Sequence, residues 1–547
     1  MNTQQVLIAL ALSALLAGLT GCACSDNNGN IDDPFGDTGS DTGDAGDGGD
    51  AGDTGDTGDT GDVEDTGDAG DVEDTGDADD MGDAADMPDG DDADVPVPDE
   101  DNDGVPDDED LCPGSDDNID EDNDDLPDGC DPCVREGAPN DEACPVPSEF
   151  DTSFGDTGIM ILEEEGADVH VTDLAWSETL GLVIGGSSRG HGEDLDFVVA
   201  RLQSNGALDP AFGTDGWFTG DVVGGDDSLH ALAVSADGTR IVLAGAAFTG
   251  DSVYRPAVAQ ITPAGVIDVA FGEMGWAIDH DDAGHWQGVL LDDAGNATVV
   301  GTLHGSPSTA VIGRYLAAGT EDPDFTLAAL QDFGFDTAVT HAAHGPGNVT
   351  YAVGHAEAGY DDNAHLLAID AMGGQHPDFN GGAALQHDHS DEGDTAERLN
   401  GVRVDAEGRI VVTGEIHRQE DDGRDLVVAR YLPSGMLDAS FGDGGIVSVD
   451  FDGGRDVGHD LAVDAEGRIV VVGRAYSNGR YGAAVLRLMP DGTPDAGFGN
   501  SGKLVLHVGE TSDRADAVAI DGRGRIVVAG RSDDGVRRRA MLLRLWD

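Results

Sequence analysis

Asp99, Asp101, Asp103, Val105, Asp107 and Asp110 stand at positions 1, 3, 5, 7, 9 and 12 of a twelve-residue loop, with Gly104 at position 6. At that spacing alternate carboxylates and one backbone carbonyl, here that of Val105, wrap a hard cation, and the glycine permits the sharp turn. A second loop starts 21 residues on, with Asp120, Asp122, Asp124, Leu126, Asp128 and Asp131 in the same places. Asp125 replaces its glycine. Aspartate tolerates a left-handed backbone better than most residues, so a weaker loop is expected rather than a dead one. The oxygen-only ligand set makes Ca2+ the expected cofactor; an acidic tract that meets the spacing by chance is the competing explanation.

Cys112, Cys130, Cys133 and Cys144 punctuate the same stretch. An even set in a Pro/Asp-rich segment with little to bury points to two disulfides, for which four cysteines allow three pairings. Zinc is the rival, but the spacing offers a single C-x-x-C pair among oxygen-rich neighbours. No amphipathic helices flank the loops, which argues against a pair of EF-hands. The string from Asp99 to Cys133, with Cys112-Pro113 after the first loop and Cys130-Asp131 closing the second, resembles thrombospondin type 3 repeats. The resemblance implies a calcium-binding, disulfide-bonded region over 99–146, with Cys112 paired to Cys130 and Cys133 to Cys144. In such repeats the metal contributes much of the fold.

From Val6 to Leu19 the chain is almost unbroken Leu, Ala, Ile and Val. That is the length of a signal-peptide core and short of the roughly 20 residues of a membrane span. Leu19-Thr20-Gly21-Cys22 resembles the lipobox of bacterial lipoproteins. The resemblance implies a signal peptide over 1–21, acylation of Cys22, and, with Ala23 next, sorting to the outer membrane. The expected location is therefore exported and lipid-anchored at the outer membrane or cell surface, with membrane contact through that lipid only. A plain secretory signal with an incidental cysteine is the alternative.

These elements need a carrier and something to carry. Residues 1–149 hold 48 of the chain's 112 acidic residues and one basic residue, Arg135. Low hydrophobicity and high charge leave too little apolar surface to offset chain entropy, so 22–98 is expected to be a disordered acidic tether. As a flexible coil its ends would lie on the order of 50 Å apart, and further under like-charge repulsion. The remainder keeps 64 acidic residues (112 minus 48) against 25 Lys plus Arg (26 minus 1), about −39. Nucleic acid is excluded as a partner, because phosphate binding needs clustered positive charge.

Beyond residue 149 one pattern recurs: an aspartate three residues before a phenylalanine, usually followed by Gly and a second Gly. The copies end on Phe154, Phe212, Phe271, Phe325, Phe379, Phe441 and Phe498, at steps of 58, 59, 54, 54, 62 and 57 residues. Those at Asp322/Phe325 and His376/Phe379 are worn. A period of this size signals a modular array. Each unit also carries a Val/Ile run ending in Gly (Gly185, Gly245, Gly301, Gly354, Gly414, Gly473, Gly530), and a later one such as "DLVVARY". With a weaker run before and a strand after the Phe-Gly turn, each unit holds four strands. Seven such units without helical periodicity predict an all-β chain, a seven-bladed β-propeller over 150–547, with an open β-solenoid as the alternative. The pattern resembles the delta-60 repeat of exported bacterial proteins. The repeated Phe is expected to pack between adjacent blades, and the Asp to cap its turn.

Candidate chemistry in this domain is sparse. His387 and His389 lie beside Asp388, Asp391 and Glu392, and His280/His285 and His341/His344 form pairs in sequence. His230, Asn400, His459 and Asp516 recur near the start of one strand, at positions expected to face the channel or its rim. Asp227, Asp456 and Asp513 recur as expected caps. No G-x-S-x-G, H-E-x-x-H or phosphate loop occurs. Anchor, tether, calcium stalk and propeller in that order suit a binding or adhesion module for an extracellular protein or glycan. An exported hydrolase or lyase acting on extracellular polymer, and a passive envelope component, are the other classes.

Overall fold

Runs of Val, Ile, Leu and Ala bounded by glycine turns form strands that are buried on both faces. "IVLAG" in Ile241–Phe248 and "IVVVG" in Ile469–Ser477 are buried at every position. The computed structural model describes residues 148–546 apart from 156, 163–166, 191–193, 223, 250–252, 326–327, 330–334, 359–360, 388–396 and 418–422. Cys22, both loops expected to bind calcium and the four cysteines lie outside the described residues, as do His389, its acidic neighbours and the side chain of His387. No helix among the described residues is long and apolar enough to cross a membrane.

The expected four-strand unit is what forms. In the second blade Ser228–Val234, Ile241–Phe248, Tyr254–Ile261 and Trp276–Ile278 make an antiparallel meander, and the chain builds seven such four-stranded sheets. The innermost strands, numbered here as blades 1 to 7, are Asp168–Ser177, Ser228–Val234, Gly284–Leu291, Asp336–Gly345, Glu397–Val404, Val457–Val463 and Ser512–Ile520. Each packs on the innermost strand of the next blade, and blade 7 packs on blade 1. The ring is therefore closed around a central channel and is not an open solenoid. Closure joins the first and last strands of the propeller: Ile159–Leu162 becomes the outer strand of blade 7, pairing Ile159 with Leu543 on Arg538–Leu545.

The turn phenylalanine does what its recurrence implies. Phe154, Phe212, Phe271, Phe379, Phe441 and Phe498 are at most 2% exposed, and Phe325 is 5% exposed. All of them except Phe498 pack against a turn glycine of the following blade. At Gly265, where φ is +71°, a Cβ would lie 2.6 Å from Gly213 N and 2.9 Å from the Phe212 ring.

The Asp of the motif caps its turn as expected, Asp209 Oδ1 accepting from Ala211 N at 2.9 Å. Its other oxygen has a partner that the sequence reading passed over. An arginine stands in the same place in five blades: Arg201, Arg314, Arg430 and Arg487, each eight residues before its Asp, and Arg544 of blade 7, whose Asp151 lies at the other end of the propeller. Each donates to the motif Asp, as Arg201 Nε does to Asp209 Oδ2 at 2.8 Å. Each also stacks on the motif Phe, with guanidinium-to-ring distances of 4.5–5.4 Å. Arg201, Arg314, Arg430 and Arg544 reach on to a carbonyl of the next blade, those of Pro263, Ala371, Pro490 and Ser204. The Asp322 copy, read as worn, keeps this whole lock. Blade 2 has Gln260 in the arginine's place, its Nε2 donating to Asp268 Oδ2 at 2.6 Å, and blade 4 has neither partner, with Ala368 and His376 in the two places.

A second ring of ties runs along the innermost strands. All seven carry a bulge at the same point, at Thr172, His230, Gln287, Thr340, Asn400, His459 and Asp516. A bulge re-aims its side chain. Here five of them reach the next blade's backbone: Thr172 Oγ1 to Leu229 O at 3.0 Å, His230 Nδ1 to Trp286 O at 2.8 Å, Thr340 Oγ1 to Leu399 O at 2.6 Å, Asn400 Nδ2 to Gly458 O at 2.9 Å and His459 Nδ1 to Ala515 O at 2.8 Å. Replacing Thr340 with valine is expected to cost about 1 kcal/mol in denaturant unfolding, the net worth of one such bond.

Candidate functional site: the channel rim

The bulge residues are structural ties, but the position two residues earlier differs from blade to blade: His170, Ser228, His285, Ala338, Arg398, Val457 and Arg514. Unlike side chains in equivalent places are what a site requires. Three elements of blades 6, 7 and 1 bring the charged ones together. Arg514 lies directly across from Arg531 on the adjacent strand, and Arg474 occupies the same place in blade 6, each following a strand-marker glycine. Like charges opposite one another repel. Asp516 relieves part of that, taking Arg514 Nη2 at 2.5 Å and lying 3.9 Å from His170 Nε2.

The histidines report the same cluster electrostatically. Burial, then the fields of Arg531, Arg514 and Arg538, hold His170 well below the usual imidazole range. Burial, then Arg514 and Arg474, do the same to His459. Both are neutral rings beside a group of guanidiniums. On the other side of blade 1 the arc continues through three more imidazoles. The rings of His230 and His285 are 5.4 Å apart, those of His285 and His304 are 5.1 Å apart, and His285 Nδ1 is 3.1 Å from His304 Nε2. Burial pushes His230 down to about 4 and lowers His285 and His304 as well, so these too are uncharged.

Deeper in the channel, Arg403 of blade 5 contacts His341 of blade 4 at 3.2 Å and Asp460 of blade 6 at 2.9 Å. Asp173 of blade 1 accepts from Leu232 N at 2.8 Å. Burial, opposed by that bond and reinforced by the Asp460 charge, pushes Asp173 up to about 7. A carboxyl whose folded pKa exceeds its unfolded value stabilises the fold fully below the unfolded value, and that contribution is lost as pH rises through the folded one. Asp173→Asn keeps an acceptor for Leu232 without the charge. The variant is therefore expected to gain stability relative to wild type between pH 4 and pH 8, read as the difference in unfolding midpoints; a gain that shrank with pH would reverse the assignment.

Other sequence candidates resolve into structural roles. Asp227, Asp456 and Asp513 are buried caps: Asp227, for example, accepts from Val222 N at 2.8 Å and Phe248 N at 2.9 Å. Among the described residues, Asp196, Asp221 and Asp227 form a carboxylate trio with oxygens within 4.8 Å of one another. Both oxygens of Asp227 are already engaged in its turn. His280 and His285 do not act together, since the His280 carbonyl accepts from Arg255 while His285 meets His304. His341 and His344 also separate, His344 turning to Thr350. His170, His304, Arg474 and Arg531 went unnoticed in the sequence. One signal could have found the arginines: eight of the chain's 26 Lys plus Arg fall in residues 512–547.

Comparison with solved structures finds matches at low identity. Hydrazine synthase of Kuenenia stuttgartiensis is 14% identical with a TM-score of 0.40, covering 68% of this chain and 94% of that one. Polysaccharide lyase Uly1 is 12% identical with a TM-score of 0.42, covering 69% and 90%. Sqt1 from Chaetomium thermophilum is 15% identical with a TM-score of 0.39, covering 70% and 97%. No curated protein matches the chain. Residues 182–212, 236–271, 406–441 and 465–498 match the family model described as "Domain of unknown function (DUF5122) beta-propeller". Each matched segment ends on a turn phenylalanine, Phe212, Phe271, Phe441 or Phe498, so the similarity to that family falls on blades 1, 2, 5 and 6.

Proposed function

We propose that the chain is a cell-surface lipoprotein that presents its propeller for binding or adhesion, and that the channel rim takes an anionic group of an extracellular glycan. The observation that carries the reading is the rim itself. In a chain of net charge −86, Arg474, Arg514 and Arg531 gather at one place beside His170 and His459. A guanidinium group matches carboxylate or sulfate in shape as well as charge. The expected lipid at Cys22, the acidic tether over 22–98 and the calcium loops from Asp99 to Asp131 suit display at a distance from the membrane.

The test uses the full chain passed over immobilised acidic and neutral extracellular polysaccharides, with calcium and with EDTA. Retention on the acidic polymers is expected, and weaker retention in EDTA would implicate the calcium loops in presentation. Equal retention on neutral polymers would contradict the reading. An exported hydrolase or lyase is a second reading, favoured by the convergence of unlike, neutral histidines at the same rim. Shortening of the polymer during these experiments would select it.

A further inference from the structure

We infer that His285 and His304, with His230 beside them, form a site for a late first-row divalent metal ion of the Zn2+ class. This inference is independent of what the rim arginines bind. His285 stands on the innermost strand of blade 3, and His304 immediately follows the adjacent strand Ala297–Leu303. Their facing nitrogens, His285 Nδ1 and His304 Nε2, are 3.1 Å apart. Two nitrogens bound at about 2.0–2.1 Å to one tetrahedral ion lie roughly 3.3 Å from each other, so the pair is already set at nearly that separation. In the metal-free chain one ring lends the other a hydrogen across this contact. An ion takes its place once the donating ring moves its proton to its far nitrogen.

His230 stands beside the pair, its ring 5.4 Å from that of His285, and must turn toward it to serve as a third ligand, since the three rings do not bring a nitrogen each within 4.8 Å of one another. Its Nδ1 meets the Trp286 carbonyl, which can only accept, so Nδ1 carries the proton and Nε2 keeps a lone pair. That Nε2 is buried and has no hydrogen-bond partner. A backbone carbonyl that holds the tautomer of one ring nitrogen while the other stays open is the arrangement that orients metal-ligating histidines. The preceding loop bears Asp279, Asp281 and Asp282, whose charge favours cations near the site. Imidazole donors select zinc, copper or nickel, whereas calcium prefers oxygen ligands, so the site is distinct in kind from the loops at Asp99–Asp131.

Calorimetric titration of the full chain with Zn2+, in saturating Ca2+, tests the inference. His304 is exposed, so His304→Ala is expected to fold normally and to weaken the site at least about 10-fold. His285→Ala/His304→Ala is expected to abolish it, and a His387→Ala/His389→Ala control to leave it intact. Absence of saturable Zn2+ binding in the wild-type chain would overturn the inference. So would His304→Ala binding Zn2+ as tightly as wild type, or loss of the site in the His387/His389 control.

Discussion

Replacing Asp151 with alanine is expected to destabilise the propeller by about 3–5 kcal/mol, the cost of stripping a buried ion pair of one partner. Asp151 is 1% exposed, and its Oδ2 accepts from Arg544 Nε at 2.6 Å and from Arg525 Nη1 at 2.8 Å. It lies at the start of the segment that crosses from the N-terminal end to complete blade 7, so the ion pair and the ring closure depend on the same residue. The alanine variant leaves the buried Arg544 without a carboxylate and facing Arg525, which keeps Asp521. Domains are stable by only about 5–15 kcal/mol, so this is a large share of the total. Denaturant unfolding measures it, and Asp495→Ala provides the comparison, since Arg487 alone meets Asp495 and no chain end is involved. The Asp495 variant is expected to lose less.

The pH dependence has a definite sign. Burial raises the Asp151 pKa, but the Ser153 bond and the charges of Arg544 and Arg525 outweigh it and hold the group below its ordinary value. Its contribution is therefore present above the unfolded carboxyl pKa and is lost as pH falls through the folded one. The Asp151→Ala deficit is expected to be constant at neutral pH and to shrink only in strong acid.

The second large effect is expected at Phe441. Its side chain is fully buried, lies under Arg430 at 4.6 Å, and packs on the turn at Gly492 in the next blade. Phe441→Ala is expected to cost about 3–5 kcal/mol through lost burial and the cavity left behind. Because the ring sits between blades 5 and 6, protease nicking of those blades is expected to rise before that of blades 1 and 2. Uniform sensitivity around the ring would argue that the blades are not tied pairwise.

The period of the Phe copies and the glycine-ended Val/Ile runs made the seven blades legible, because burial on both faces dictates those residues in every unit. The closure was legible too, though unread: the copy at Asp151 has no three strands before it, and the last three strands have no motif after them. Arg201 and its equivalents were visible in "VARL" and "VARY", but a strand-end arginine looks solvated in sequence. Only the fold brings it over the Phe, which stands eleven residues later in the four blades whose motif follows in sequence. The rim was least legible. His285 meets His304 across two strands, and Arg474 and Arg514 come from neighbouring blades to flank His459, so nearness in sequence shows neither grouping. His230, Asn400 and His459 recurred in sequence because each ties its blade to the next.

The most direct test of the rim as the binding site is calorimetry of the full chain with a uronate oligosaccharide, comparing wild type with Arg514→Gln/Arg531→Gln at two salt concentrations. The account predicts saturable binding by wild type that weakens with salt and falls at least about 10-fold in the variant, the loss of roughly one charge-assisted contact. Equal binding by both proteins, or binding indifferent to salt, would place recognition elsewhere on the propeller and contradict it.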